Sequence, residues 1–184
     1  MKKKAIAVLL ILLLVCSVTD GTSAFFISTQ RATNVITAGG IQVELQEWAD
    51  EDGTAFEDVM HVLPGHKITK IVTVRNTGPN AAWVRMSVKK SVQLAEGVTG
   101  ETDLSQVELD LNTADWTEQG DWYYYKQPLA PGKTGKPLFT TVSFAEDMSN
   151  VWQKSTVTID VEVQAVQTAN NGEDVLEAAG WPEG

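Results

Sequence analysis

The sequence predicts an all-β protein built as one antiparallel β-sandwich, and two observations lead to this fold class. The first is a period of two in the apolar residues after position 40, which is typical of strands with one buried face. The second is the regular spacing of turn-forming residues between these segments, with no long helical pattern among them. Two packed antiparallel sheets satisfy both observations. We therefore expect residues 41 to 168 to form a single sandwich domain.

At least six segments carry the alternation. The apolar positions that define them are Ile41, Val43 and Leu45; Val72 and Val74; Ala82, Val84, Met86 and Val88; Val107, Leu109 and Leu111; Leu138, Val142 and Phe144; and Val157, Ile159, Val161, Val163 and Ala165. Turn formers such as Asp52-Gly53, Gln119-Gly120-Asp121 and Pro131-Gly132 separate them, because glycine supplies positive φ and proline presets φ. These segments are the predicted strands.

The C-terminal tail, residues 169 to 184, departs from this pattern. Glu173 to Ala179 has a helix-favouring composition, and Gly180 follows as a helix stop signal. We expect one short helix in the tail, which does not change the fold class.

The first 23 residues are organised as a signal peptide, and we expect them to form its helix. Three lysines, Lys2 to Lys4, precede a 14-residue apolar run from Ala5 to Val18. A membrane span needs about 20 apolar residues, so this run is short for one. Small residues follow it, and we place cleavage beside Ser23 or Ala24. An uncleaved N-terminal anchor is the alternative.

The charge of the chain excludes two classes of partner. The formal net charge is −10, and removal of residues 1 to 23 takes away three lysines and Asp20, which gives −12. An acidic surface of this size disfavours nucleic acid and anionic lipid. We expect no nucleic-acid partner, and membrane contact only through the signal peptide before cleavage.

Residues that could carry catalysis are scarce. The single cysteine, Cys16, lies inside the apolar run, so a processed chain has no thiol for catalysis or for a cysteine-rich zinc site. The two histidines, His61 and His66, are five residues apart and lack the His-Glu-x-x-His spacing of a zinc protease. We expect no enzyme activity, no cofactor and no metal.

An acidic stretch around Asp52-Gly53 resembles the start of a calcium-binding loop. The first and twelfth ligand positions would be Trp48 and Val59, which carry no oxygen donor in their side chains. An acidic hairpin turn is the better interpretation.

Four consecutive aromatic residues, Trp122, Tyr123, Tyr124 and Tyr125, fall on both faces of one predicted strand. Two of them could face outward as a ligand face for a sugar or a protein partner. In the alternative that we favour, one pair fills the core and the other pair packs against a loop containing Trp116.

Residues 24 to 40 are expected to form an extended segment with an apolar start. Five residues make it a candidate for assembly: Phe25, Phe26, Ile27, Val35 and Ile36. An extended segment can complete an open sheet edge, where main-chain hydrogen bonds give affinity and alternating side chains give register. The edge can belong to the same subunit or to a neighbour.

Several short motifs resemble the TasA and camelysin family of proteins exported by Gram-positive bacteria. GTSAFF, residues 21 to 26, and ITAGGIQVEL, residues 36 to 45, are similar to that family's leader junction and first strand. VLPGHKITKIVTVRNTGPNAAWVRMSV is similar to its Leu-x-Pro-Gly, strand, Asn-x-Gly, strand unit, although Leu63, Pro64 and Gly65 follow one another here with no intervening residue. WYYYKQPLAPGKTGKPLF and VEVQAVQ resemble a related branch from clostridia and their relatives.

The resemblance implies a jelly-roll or immunoglobulin-like sandwich, export, and processing by a dedicated signal peptidase. It also implies a role in cell-surface or biofilm-matrix fibres that assemble by donating an N-terminal strand to the next subunit. We therefore expect a secreted structural protein whose partners are copies of itself or related matrix subunits. A monomeric extracellular module that binds a glycan or protein is the alternative. Camelysin has also been described as a metalloprotease, and that activity is the least favoured here because the chain has no zinc motif.

Overall fold

The computed structural model describes residues 40 to 57 and 60 to 182, and these residues form two antiparallel sheets. The first sheet contains β1 (Val43–Trp48), β3 (Lys67–Asn76), β8 (Phe139–Phe144) and β5 (Val107–Leu109), in that spatial order. The second contains β2 (Met60–His61), β9 (Thr156–Gln167), β4 (Ala82–Gln93), β7 (Trp122–Tyr125) and β6 (Trp116–Gln119). Single 3-10 turns occur at Leu104–Gln106 and Asn150–Trp152. The predicted all-β class with two antiparallel sheets is confirmed.

The two sheets share one hydrophobic core. Each predicted alternating segment contributes its apolar face, for example Val72 and Val74 from β3, Val142 from β8 and Val163 from β9. Burial of apolar area is worth roughly 25 cal/mol per Å², so this shared core is the main source of stability. No disulfide within the chain adds to it, since Cys16 is the only cysteine.

The longest ladder joins β4 to β9. Twelve residues of each strand are paired, from Ala82 opposite Gln167 to Gln93 opposite Thr156. This pair lies at the centre of the second sheet and is covered on both faces, because Trp83 and Val166 on its outer face are also buried.

The strand that contains Trp116 was missed in the sequence. Trp116 was expected in a loop, but Trp116–Gln119 forms β6 and pairs with β7 as a hairpin closed by Gly120 and Asp121. Gly120 has φ of 62°, which a tight hairpin turn requires. The four-residue strand is too short to show a clear alternation, which explains the miss.

The tail prediction was wrong: residues 175 to 177 form a turn rather than a helix. Its hydrogen bonds join Glu177 N to Asp174 O and Ala178 N to Val175 O, three residues apart. Val175 and Ala178 are buried against the outer face of the second sheet. Packing of these two side chains therefore overrides the local helix propensity.

The acidic turn predicted at Asp52-Gly53 is confirmed. The Asp50 carboxylate accepts hydrogen bonds of 3.0 Å from the backbone N–H groups of Asp52 and Thr54. Hydrogen bonds from Thr54 and from the turn backbone hold the pKa of Asp50 below its ordinary value. Gly53 completes the turn with φ of 87°.

A buried ion pair links β1 to β3. Lys70 is only 1% exposed, and its Nζ atom lies 2.7 Å from Glu47 Oε1 and 4.2 Å from the centre of the Phe56 ring. A charge in this position requires a partner, because an isolated buried ammonium is strongly unfavourable. The pair fixes β1 against the irregular part of β3, where the pairing with β8 shifts between Thr69 and Val72.

Asn76 ties two loops together at the other end of β3, the loop from β3 to β4 and the loop that contains Leu129. Its side-chain amide donates to the carbonyl groups of Asn80 and Leu129, each at 2.8 Å, and its Oδ1 accepts from Gly78 N at 2.9 Å. Gly78 must be small, because a Cβ atom there would lie 2.8 Å from the backbone nitrogen of Gln42. The Asn-x-Gly motif is therefore a structural clip.

We predict that Asn76→Ala lowers the free energy of unfolding by about 2–4 kcal/mol, because it leaves buried backbone groups without hydrogen-bond partners. Urea unfolding followed by tryptophan fluorescence measures the loss. Thr77→Ala at the exposed neighbouring position is the control, with an expected change within about 0.5 kcal/mol. Equal losses for the two variants would contradict the assignment of Asn76 as the clip.

Candidate assembly edge and aromatic face

One side of β9 is a long strand edge with little pairing. β4 pairs with all of β9 on one side. On the other side β2 pairs only with Thr156 and Val157. In the part of the chain that the structure describes, no other strand continues along this edge from Thr158 to Gln164. We call this stretch the β9 edge.

Main-chain groups of alternate residues point towards the β9 edge. The carbonyl of Ser155 accepts from Val62 on the β2 side, whereas the N–H of Thr168 donates to Ala81 on the β4 side. Because these directions alternate along a strand, the odd-numbered residues face the edge. Ile159, Val161 and Val163 thus present N–H and C=O groups to the edge and side chains to the core. This is the arrangement that β-strand addition completes.

The first strand places the start of the sandwich beside the β9 edge. β1 contacts β9 across the core. The residue that leads into it, Ile41, is fully buried. The chain therefore enters the domain next to the edge that lacks a partner strand in the described residues.

The four aromatic residues of β7 divide between two environments. Tyr123 and Tyr125 belong to the main core, and the Tyr125 ring lies 5.0 Å from that of Trp116. Trp122 and Tyr124 face the outer surface, where they pack with the C-terminal tail. Part of the favoured alternative holds, since one pair faces the core, but the tail rather than a Trp116 loop covers the other pair. Burial and the nearby Glu118 carboxylate raise the pKa of Tyr123.

Arg85 is at the centre of the outer aromatic cluster. Its guanidinium carbon lies 4.1 Å from the centre of the Trp122 ring and 4.7 Å from that of Trp181. The group donates to Gln164 Oε1 at 2.6 and 3.0 Å and to Tyr124 Oη at 3.2 Å. Arginine suits this position because its planar group can stack and form several hydrogen bonds at once.

The tail is fastened by backbone hydrogen bonds as well as by the stack. Asn171 bonds both the N–H and the C=O of Ala179 through its side-chain amide. Trp83 Nε1 donates to the Asn171 carbonyl, and Arg85 donates to the Pro182 carbonyl. These contacts make residues 168 to 182 an integral layer on the second sheet.

The other predicted site residues are not gathered into a site. Ser23, Ala24 and the five assembly residues, Phe25, Phe26, Ile27, Val35 and Ile36, lie outside the described residues. His61 and His66 are exposed. Across residues 40 to 57 and 60 to 182 there is no group of three or more His, Cys, Asp or Glu side chains placed to hold a metal ion. Over the same ranges no helix is long and apolar enough to cross a membrane.

Sequence reasoning missed Arg85, Trp181 and the β9 edge. A signal for the first two was present, since Trp83 and Arg85 alternate with core residues on β4 and so share the outer face. The β9 edge could not be predicted from local sequence. It arises because β2 is shorter than β9, and which strands lie side by side is a long-range property of the fold.

Comparisons of the chain with family models, with curated proteins and with solved structures found no match. Function is therefore inferred from the residues themselves.

We predict that Trp181→Ala lowers the free energy of unfolding by about 1–2 kcal/mol, since it removes one side of the Arg85 stack and the edge-on contact with Tyr124. Urea unfolding of both proteins measures the difference. Leu176→Ala is the control, because Leu176 is in the same tail but is 48% exposed. A change as large in the control as in Trp181→Ala would show that the stack is not what fastens the tail.

Proposed function

We propose that this protein is a secreted structural protein that assembles into cell-surface or biofilm-matrix fibres. One subunit donates its N-terminal segment to the β9 edge of the next. The observation that carries the proposal is the β9 edge, a seven-residue stretch in which Ile159, Val161 and Val163 offer main-chain groups that have no partner strand in the described chain. An exposed edge of this kind is a template for pairing with another chain.

The candidate donor matches the edge in length and in chemistry. Residues 24 to 30 and residues 158 to 164 are both seven-residue stretches, about 23 Å long when extended. Phe25 and Ile27 fall on one side of the donor strand, where they can extend the apolar row formed by Ile159, Val161 and Val163. A donated strand would thus supply both hydrogen bonds and apolar burial.

Strand direction favours donation between subunits. β1 starts at the end of the sandwich where β9 finishes. Val43 pairs with Asn76, and the side chain of Asn76 donates to the Leu129 carbonyl. Leu129 in turn bridges to Ala82, which lies opposite Gln167 at the end of β9. A segment that lay along its own β9 and led directly into β1 would run parallel to β9. Antiparallel pairing is slightly more stable per residue, and a segment from a neighbour is free to adopt it.

The resemblance to the TasA and camelysin family supports the remaining parts of the proposal. The junction around Ala24 and Phe25 suits cleavage by a dedicated signal peptidase during export. We include in the proposal a signal-peptide helix and a jelly-roll or immunoglobulin-like arrangement of the sheets. Partners would be further copies of the chain or related matrix subunits.

The two other functions are less well supported. A glycan- or protein-binding module would use Trp122 to Tyr125, but Tyr124 and Tyr125 are buried by the tail and the core. A metalloprotease needs a zinc motif, and neither His61 nor His66 belongs to one.

Cysteine cross-linking tests the proposal, since a chain that begins at Ala24 has no native cysteine. The variant carries Ser28→Cys in the donor and Glu162→Cys beside the β9 edge, and a short bis-maleimide joins the thiols. We expect a ladder of covalent oligomers in denaturing gels. Deletion of residues 24 to 30 should abolish fibres in electron micrographs.

The matched control moves the second cysteine to Glu118, an exposed residue on the opposite edge strand of the same sheet. This variant should give no ladder. If Ser28→Cys with Glu162→Cys gives only internally linked monomer at every concentration, the segment pairs within its own subunit and the proposal fails.

A further inference from the structure

Four cations gather at one end of the sandwich. Arg75, Lys126, Lys133 and Lys136 are all exposed. Arg75 bridges to Thr134, next to Lys133, and Lys126 follows Tyr125, whose hydroxyl accepts from Lys136 N. We call these four residues the basic patch.

No ion pair among the described residues neutralises the basic patch. In the described part of the chain the sole ion pair joins Lys70 to Glu47, so no cation of the patch has a carboxylate partner there. Lys126 Nζ instead donates to the carbonyl groups of Thr113 and Ala114. The carboxylates nearest in register are Glu44, opposite Arg75, and Asp115, which accepts from Asn112. Four exposed cations without an ion pair among the described residues are notable in a chain with net charge −10.

The opposite end of the sandwich is acidic. The turn after β1 carries Asp50, Glu51 and Asp52, with Glu57 shortly after it. Glu146 and Asp147 follow β8 at the same end, since Lys67 at the start of β3 pairs with Ser143. These six residues form the acidic end, and the cations beside them are Lys67 and Lys154.

The length of β3 separates the two charged regions. Arg75 is the ninth residue of β3, and the acidic turn begins beyond Ile71, the fifth residue, which pairs with Trp48. Glu146 and Asp147 lie beyond Lys67, the first residue. Along the strand, the acidic turn therefore lies more than four residues, about 13 Å, from Arg75, and Glu146 and Asp147 lie more than eight residues, about 26 Å, from it. Both distances exceed the Debye length of about 8 Å at physiological salt. The charges of one region therefore do not neutralise those of the other within a subunit.

We propose that the basic patch of one subunit docks on the acidic end of another copy of this chain, so that subunits stack end to end. The inference rests on the proposed self-association and adds its orientation. Copies of an acidic protein repel one another on average. When the basic patch of one copy faces the acidic end of the next, the opposite charges attract instead. Reversed alignments bring like charges together, which selects head-to-tail growth.

Charge exchange tests the contact. Three variants of the full chain from Ala24 are compared. The first double variant carries Lys133→Glu and Lys136→Glu, the second carries Glu51→Lys and Asp52→Lys, and the fourfold variant carries all four changes. Within the described residues, the hydrogen bonds of these four residues use only their backbone atoms, so the variants should fold. Each double variant should weaken assembly at least about tenfold, and the fourfold variant should recover it because the charges are complementary again. Sedimentation velocity at low and physiological salt measures assembly.

The matched control is Lys89→Glu, compared with Lys133→Glu alone, because it changes the net charge by the same amount outside both the basic patch and the acidic end. Its assembly should stay within about twofold of the unmodified chain. Equal weakening of the control, or no recovery in the fourfold variant, would overturn the end-to-end contact in favour of a net-charge effect.

The two proposals fail in different ways. A cysteine ladder that persists in every charge variant leaves strand donation standing and overturns the end-to-end contact. Absence of a ladder and of fibres in the unmodified chain overturns strand donation itself. Retention of the unmodified chain on a heparin column, lost in Lys133→Glu with Lys136→Glu while assembly is unchanged, would assign the patch to an external polyanion and overturn the contact.

Discussion

The pairing of β4 with β9 is the interaction on which the rest of the structure depends. Its twelve-residue ladder contributes to both hydrophobic clusters, through Val84 and Val163 on the inner face and Trp83 and Val166 on the outer face. The short strands β2 and β7 pair directly with this ladder, β2 with β9 and β7 with β4, and β6 joins the sheet through β7. The same length leaves β9 with more edge than β2 can cover.

The ladder also explains how much of the fold the sequence could predict. Alternation marks a strand reliably when it is long and half-buried, as in residues 157 to 165, and the predicted strands are present. Alternation says nothing about which strand lies beside which, so the β9 edge was not foreseen. Local composition also failed for the tail, where burial of Val175 and Ala178 decides the conformation.

The candidate sites divide in the same way. Four adjacent aromatic residues indicate a packed strand. The outer pair, however, packs with Arg85 and Trp181, which are 37 and 59 residues from Trp122 along the chain. The basic patch likewise combines β3 with a loop that begins after β7. Residues that come together only through tertiary structure share no local pattern in the sequence. The chemical type of each site residue could therefore be predicted, but which residues lie side by side could not.

The tail has a consequence for the shape of any assembly. A β-sheet face that is apolar and bare invites a second sheet to stack on it, and stacked sheets thicken a fibre into a bundle. Residues 168 to 182 occupy that face with a layer of their own, and its outward side carries Glu173, Asp174 and Glu177. On this face the tail would therefore prevent lateral stacking of filaments. Filaments of this subunit would grow in length and remain separate from one another.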